Sequence, residues 1–470
     1  MKDAKTGFER RCAILDEQLG VGRSFDMVGR DLVIGGRRAR LWVVNGYAQD
    51  TMLERIIAAW MPISTLQDVA DLPTFVQRYV SACDSKVETD WDKAVTAVFA
   101  GKTLLVVEGY GGGVLLEAEQ FPLRSVEEPD TSKVLRGSHD GFVENIMKNA
   151  ALLRRRVRTP QLTLERLTAG ERSKTDIALC YLDGEADPQL IDELRRKINA
   201  IDVRSVAMSQ ESIAEAIAPR QWYSPFPKVR YTERPDVATA CLMEGDVLVM
   251  VDNTPAVMIL PTTFFRFAEE INDYYFPPLI GTYLQLVRIT VLLLTVFITP
   301  LCYLLVKDPG RLHENLHFLL IQDEYYVPLI VQLLLVELII DLLKLASLNT
   351  PNALSSSFSM LGALILGDFA VQSRWLVPEV LVYMAFVAIA NYAQPSYEMG
   401  YAFKLCRMAL LILIWLADWW GFALGVVGIL ALVAVTKPLV GKGYLYPLIP
   451  FNGKDLKALL HRRPISRKNT

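Results

Sequence analysis

Ionisable side chains are costly inside a run of apolar residues, so Glu337, Asp341 and Lys344 come first. They fall at i, i+4 and i+7 in a Leu- and Ile-rich stretch, which places all three on one helix face. Two chemistries suit that spacing. One is an ion pair, with Lys344 near enough to neutralise Asp341, that fixes helix packing. The other is a cation-attracting lining for a pathway. The structural reading is favoured. Further on, Ser355, Ser359, Gly362 and Leu366 make one stripe of a helix. Small residues let helices approach closely. The same stripe could line a narrow pore, polar at the serines and closed by Phe358, Leu361 or Ile365, since apolar rings gate by dewetting. Glu379, Asn391 and Asp418 are further polar residues in apolar surroundings.

Other fragments do not assemble into a catalytic site. Gly101-Lys102-Thr103 resembles the end of a phosphate-binding loop, but the glycine required five positions earlier is Thr96, and a strand rather than a helix follows. The glycines at 111–113 sit in a hairpin turn with no helix N-terminus to hold phosphate. His313 and His317 could share a metal, but no third ligand is evident. No nucleophile elbow, zinc-protease motif or kinase set is present. The expectation is a non-enzyme without cofactor or metal. Arg154, Arg155 and Arg156 close an amphipathic pattern built on Phe142, Val143, Ile146, Met147, Ala150, Leu153 and Val157. They suit a helix C-terminus, anionic lipid headgroups or the acidic face of a neighbouring subunit.

The elements that must position these residues divide into two materials. Of 470 residues, the first 280 or so carry charges throughout, whereas 281–436 are mostly Leu, Val, Ile, Ala and Phe. A net charge of −3 gives no reason to expect nucleic acid. The six cysteines are scattered, which suits a reducing compartment. The charged N-terminus has no apolar core of a signal peptide, so the first half is expected in the cytosol.

A spanning helix needs about 20 apolar residues. Ile289–Val306, Tyr325–Leu343, Leu345–Gly367 and Trp375–Gln394 qualify as candidates, and Met408–Thr436 is long enough to divide at Asp418. The acidic 307–324 loop is expected outside. The connections carrying Lys344, Lys404 and Arg407, and the basic tail, are expected inside. Six spans satisfy this, with five the alternative. Before the first span, Phe264, Phe267, Ile271 and Tyr274 predict an amphipathic helix, either on the membrane surface or packed on the soluble domain as an ordinary helix.

The first half repeats itself. LWVVNGY (41–47) matches LCYLDGE (179–185), with helices expected from about Asp50 and Pro188. AGKTLLVVEGYGGGVLL (100–116) matches EGDVLVMVDNTPAVMIL (244–260) without gaps, and each reads as a β-hairpin. The expected fold is a cytosolic region of two duplicated small α/β subdomains followed by an all-α polytopic transmembrane bundle. Its parts are 1–122, the first subdomain; 123–159, a linker with a basic amphipathic helix; 160–262, the second subdomain; 263–283, an interfacial helix; 284–436, the transmembrane domain; and 437–470, a basic cytosolic tail.

EEPDTSKVLRGSHDGFVENI (127–146), the Arg154–Arg156 run, GERSKTDIALCYLDGEADP (170–188), TERPD (232–236) and NTPAVMILP (253–261) resemble the GerA family of spore germination proteins, from about residue 20 to the end. Within the family, HDGFVENI, GERSKTDI and the 251–263 hairpin look most like its stage V sporulation branch. The resemblance implies a multi-pass protein of the spore inner membrane, with its N-terminal domain and C-terminal tail on the core side. It implies a homo-oligomer, pentameric by the family pattern, that releases cations during germination beside other spore membrane germination proteins in the lipid bilayer. On that pattern the 350–372 span lines the pore: Thr350, Pro351, Gly362, Ala363 and Gly367 match it, while Asp368 and Gln372 lie where members vary. The rival readings are a non-conducting scaffold that recruits other germination proteins and, last, a secondary transporter.

Overall fold

The computed structural model describes residues 7–80, 84–118, 138–219, 221–270, 276–311, 321, 324–349, 370–441, 443–453 and 456. They divide into two units. The first comprises Met1–Ala218, Val229–Thr262 and Leu439–Gly441; the second comprises Pro219–Lys228, Thr263–Pro438 and Lys442–Thr470.

The first unit is built twice from one plan. Its first half runs α1 (Gly7–Leu19), β1 (Met27–Ile34), β2 (Arg37–Val44), α2 (Asp50–Trp60), α3 (Leu72–Tyr79), β3 (Ser85–Glu88), α4 (Trp91–Phe99), β4 (Thr103–Val107), β5 (Gly113–Leu116). Its second half runs α5 (Ile146–Arg156), β6 (Leu162–Ala169), β7 (Thr175–Leu182), α6 (Pro188–Asn199), α7 (Ser209–Ile217), β8 (Arg230–Thr232), α8 (Pro235–Met243), β9 (Val247–Val251), β10 (Val257–Leu260). The sheet orders, β1-β2-β4-β5-β3 and β6-β7-β9-β10-β8, are the same. So is the register: Leu41 faces Leu105, and its counterpart Leu179 faces Val249. The duplication read from 41–47 and 100–116 therefore holds, and the helices start at Asp50 and Pro188 as expected.

The repeat is longer than the sequence indicated. Each half opens with a helix and a further strand, so α5 is the leading helix of the second half rather than part of a linker. It also starts later than the apolar pattern does, because Asn145 caps it by accepting a hydrogen bond from the Lys148 N–H. Alternation on β2 explains the layering. Leu41 and Val43 pack under α2 and α3 with Ile56, Trp60 and Phe75, while Trp42 and Val44 pack under α1 and α4 with Leu15, Val98 and Phe99. The turn after β2 uses Gly46 at φ +92° and the turn after β7 uses Gly184 at φ +90°, a region that favours glycine.

The second unit is helical: α9 (Pro278–Lys307), α10 (Leu329–Asn349), a short turn at Ala370–Gln372, α11 (Pro378–Tyr392) and the run Tyr397–Val435. Pro278–Lys307 and Tyr397–Val435 are long and apolar enough to cross a membrane by length and composition. The latter breaks at Ala417 and Asp418, which have non-helical backbone angles. We number its arms α12 (397–416) and α13 (419–435). Val433 shares a cluster with Met399 and Ala402, whereas an unbroken helix would hold 399 and 433 about 50 Å apart. The arms therefore fold back as a hairpin. Gly421 makes this possible, since a Cβ there would lie 1.9 Å from the Leu413 carbonyl oxygen.

Among the described residues the expected interfacial helix over 263–283 is not one element, and its Ile271 and Tyr274 lie outside them. A 3-10 turn spans Phe264–Ala268, and α9 starts afresh at Pro278. Phe267 is buried and Phe264 packs edge-to-face on Phe403, so these rings serve the core of the unit. Pro277 and Pro278 reset the backbone, because a residue before proline avoids helical angles. The third expected span, Leu345–Gly367, begins inside α10, which continues to Asn349; its remainder lies outside the described residues.

Candidate functional site

Two apolar clusters fill the helical unit. One joins Leu292, Val296, Met399, Phe403 and Val433. The other joins Tyr303, Leu304, Leu333, Val336, Leu410 and Ile414. Between them lies a layer of charge. Arg407, on α12, donates from Nε to Glu337 Oε1 on α10 at 2.6 Å and from a terminal nitrogen to the Thr295 carbonyl on α9 at 2.7 Å. Lys404, one turn earlier, lies 3.3 Å from Glu337 Oε2 and pairs also with Asp341. Glu337 is 2% exposed and Arg407 0%. Charges at that depth persist only when paired and hydrogen-bonded, and here two carboxylates of α10 meet two cations of α12, with a carbonyl of α9 accepting from one of them. One acceptor, Asp341 Oδ1, is buried without a partner.

The sequence reading placed Glu337 and Asp341 on one face, and the structure agrees. It adds a second cation: Lys404, from α12, pairs with Asp341, while Lys344 lies over the Tyr401 ring, with its Nζ 5.4 Å from the centroid. Lys404 and Arg407 were expected in a polar connection; they are 5% and 0% exposed inside α12. Glu379, at the start of α11, is half-buried with Oε2 lacking a partner. Asn391 Oδ1 and both amide atoms of Gln394 are likewise buried and unpartnered. Thr350, Pro351, Ser355, Phe358, Ser359, Leu361, Gly362, Ile365, Leu366 and Asp368 lie outside the described residues, as do Ala363, Gly367, His313 and His317.

Asp418 marks the hairpin tip. Lys307, the last residue of α9, pairs with it and lies 3.4 Å from the Ile414 and Trp415 carbonyl oxygens. A cation there satisfies carbonyls that the end of α12 leaves without helical partners. Exposed aromatic rings collect at the two ends of the unit. Tyr325, Tyr326, Trp375, Trp415 and Trp420 sit at the end that holds the hairpin tip; Tyr283, Tyr397 and Tyr401 sit at the other.

In the first unit Arg154 is 1% exposed and joins the two halves. It binds Asp26 through two hydrogen bonds, at 2.9 and 3.1 Å, and reaches Ser24 Oγ and the Leu162 carbonyl. The expectation of a subunit or lipid contact is therefore corrected for Arg154: its side chain is spent inside the fold. Arg156 binds Asp140 at 2.6 Å and Ser138 Oγ at 2.8 Å. Burial alone would raise the Asp140 carboxyl, but the hydrogen bonds from Arg156 and Ser138 prevail and hold it below the usual range. Arg155 stays exposed. Lys102 pairs with Glu117 and Thr103 is buried on β4, so the GKT fragment serves the sheet. A groove of about 510 Å³ lies between α1 and the β1-β2 hairpin. Its arginines are already paired, Arg38 with Glu9 and Glu108, Arg40 with Asp16 and Asp31. Among the described residues, no group of three or more His, Cys, Asp or Glu could hold a metal.

Comparison with known proteins bears on both units. The model of the Bacillus/Clostridium GerA spore germination protein family matches residues 13–470. Stage V sporulation protein AF of Bacillus subtilis is 37% identical over 95% of this chain and 90% of its own. Spore germination protein KA of the same organism is 27% identical over 96% of this chain and 84% of its own. The crystal structure of the N-terminal domain of the A subunit of the Bacillus megaterium spore germinant receptor GerK3 is matched at 25% identity, with a TM-score of 0.43, over 55% of this chain and 95% of that one.

Proposed function

This chain belongs to the GerA family of spore germination proteins, and on that premise we propose that it is one subunit of an oligomeric cation channel of the spore inner membrane. The supporting observation is the closed charge layer. Glu337 and Asp341 are matched by Arg407 and Lys404 within one bundle, so among the described residues this layer offers no charge-selective lumen of its own. A conducting path then belongs between subunits, where the family resemblance puts the 350–372 segment, Ser355, Ser359 and Gly362 along its stripe and Leu361 and Ile365 as its constriction. Several identical chains meet around that axis, five on the family pattern. Both the N-terminal unit and the basic tail lie on the core side, beside other germination proteins of the same membrane.

Reconstitution into liposomes tests this. Cation flux is expected from the purified oligomer, and Leu361→Ala or Ile365→Ala is expected to raise the resting leak several-fold. An oligomer that passes no ions, with both variants germinating at the parental rate, would leave the scaffold reading. That reading draws on the same closed bundle, taken as a platform on which other germination proteins assemble.

A further inference from the structure

Residues 219–228 (PRQWYSPFPK) are an excursion. In the chain they join α7 to β8 of the first unit, yet they fold with the helical unit. Gln221 grips the end of α13 with both ends of its amide: Nε2 donates to the Val435 carbonyl at 3.1 Å, and Oε1 accepts from the Lys437 N–H at 2.9 Å. The Ser224 and Thr436 hydroxyls are 2.7 Å apart. Phe226 is 3% exposed and packs edge-to-face on Phe403 at 5.9 Å. The Tyr444 hydroxyl donates to the Pro227 carbonyl at 2.9 Å. A strap so well fastened has a fixed outer surface, and that surface is aromatic. Trp222 is 96% exposed, with Tyr223 set edge-on beside it at 6.3 Å.

The level of the strap says what meets this surface. Val433 packs with Met399 and Ala402, so the end of α13 lies beside the start of α12. Trp222, next to Gln221 in the chain, is therefore at the same end as Tyr397 and Tyr401, and so is the exposed Lys437, whose N–H donates to Gln221. Indole and phenol rings beside lysine, at the end of an apolar helix, match the boundary between headgroups and acyl chains, where one edge of the ring stays wet. We propose that the strap is a lipid-interface anchor, with Trp222 and Tyr223 seated in the headgroup boundary of the bilayer on the α13 C-terminal side. This rests on the reading that the helical unit spans a membrane.

The test uses the full chain in vesicles whose phospholipids carry bromine near the top of the acyl chain, which quenches only tryptophans at that depth. Trp222 is one of eight tryptophans, so Trp222→Phe should remove a discrete share of the quenchable emission, about one part in eight of the total where all eight emit alike. Trp420→Phe, at the hairpin tip, reports the spanning reading separately. If Trp420→Phe lowers lipid quenching and Trp222→Phe does not, the anchor is overturned while the spanning reading stands. If neither changes it, the spanning reading fails and takes the anchor with it. Emission from Trp222 that is shielded from both brominated lipid and aqueous iodide would mean that another protein surface covers the strap, which also overturns the proposal.

Discussion

Glu337 and Arg407 are 70 positions apart in the chain and 2.6 Å apart in the helical unit. The pair ties α10 to α12, and the Arg407 bond to the Thr295 carbonyl adds α9. Because both groups are dehydrated, removing Glu337 strands Arg407, whose only carboxylate partner it is among the described residues. Glu337→Leu should lower the stability of the solubilised protein by about 3–5 kcal/mol, the usual cost of an orphaned buried charge. Glu337→Leu combined with Arg407→Met should recover most of that loss. Thermal unfolding in detergent reads both, and a double variant no better than the single would show that the pair is not the unit of stability.

Three glycines on α13 make an internally controlled series. A Cβ at Gly421 would meet backbone at 1.9 Å, one at Gly425 would meet the Leu410 side chain at 2.3 Å, and one at Gly428 would meet nothing within 4 Å. Backbone cannot yield, a leucine rotamer can, and open space needs no response. Gly421→Ala should abolish monodisperse protein, Gly425→Ala should cost about 1–3 kcal/mol as overpacking does, and Gly428→Ala should behave as the parent. Size-exclusion profiles and melting temperatures rank the three.

Asp140 carries the acid sensitivity of the α5 end. Its carboxyl is held below the usual range, so its stabilising contribution is full well above the unfolded value of about 4 and is lost as pH falls through the folded one. Asp140→Asn should be less stable than the parent at pH 7, and the gap should narrow between pH 5 and 3. A gap that stays constant across that range would remove Asp140 from the acid response.

Cys12 lies on the buried face of α1, and burial pushes its thiol up to about 11. At pH 8 it is protonated and covered, and therefore unreactive. Iodoacetamide applied to the native protein should leave Cys12 unmodified in peptide mass maps, and denaturation should expose it. Rapid native labelling would mean that α1 detaches from the β1-β2 hairpin.

The parts that could be read from sequence were those with strong local patterns. The buried central hairpins β4-β5 and β9-β10 are near-continuous apolar runs, and they aligned without gaps. The strands β1 and β6 are sheet edges with charges facing water, as in MVGRDLVI, so no apolar run announced them. Arg154 looked like one of three equivalent surface arginines. Only the angle at which α5 meets Asp26, far upstream, selects it for burial. The partners of Glu337 and Asp341 were hidden for a similar reason. Lys404 and Arg407 border an apolar stretch and resemble a basic loop until Asp418 folds α13 back on α12 and carries α12 into the bundle.

The charge layer also has a timetable. The ribosome makes the two carboxylates before either cation, and the 70 positions from Glu337 to Arg407 take roughly 4–14 s at ordinary rates of synthesis. During that interval α10 carries two acids with no cationic partner from α12. Until α12 arrives, only solvent and Lys344 of the same helix are at hand to face them. The last hairpin is thus the step that completes the layer, and a chain halted before residue 404 would leave α10 short of the cations that match its acids in the full fold.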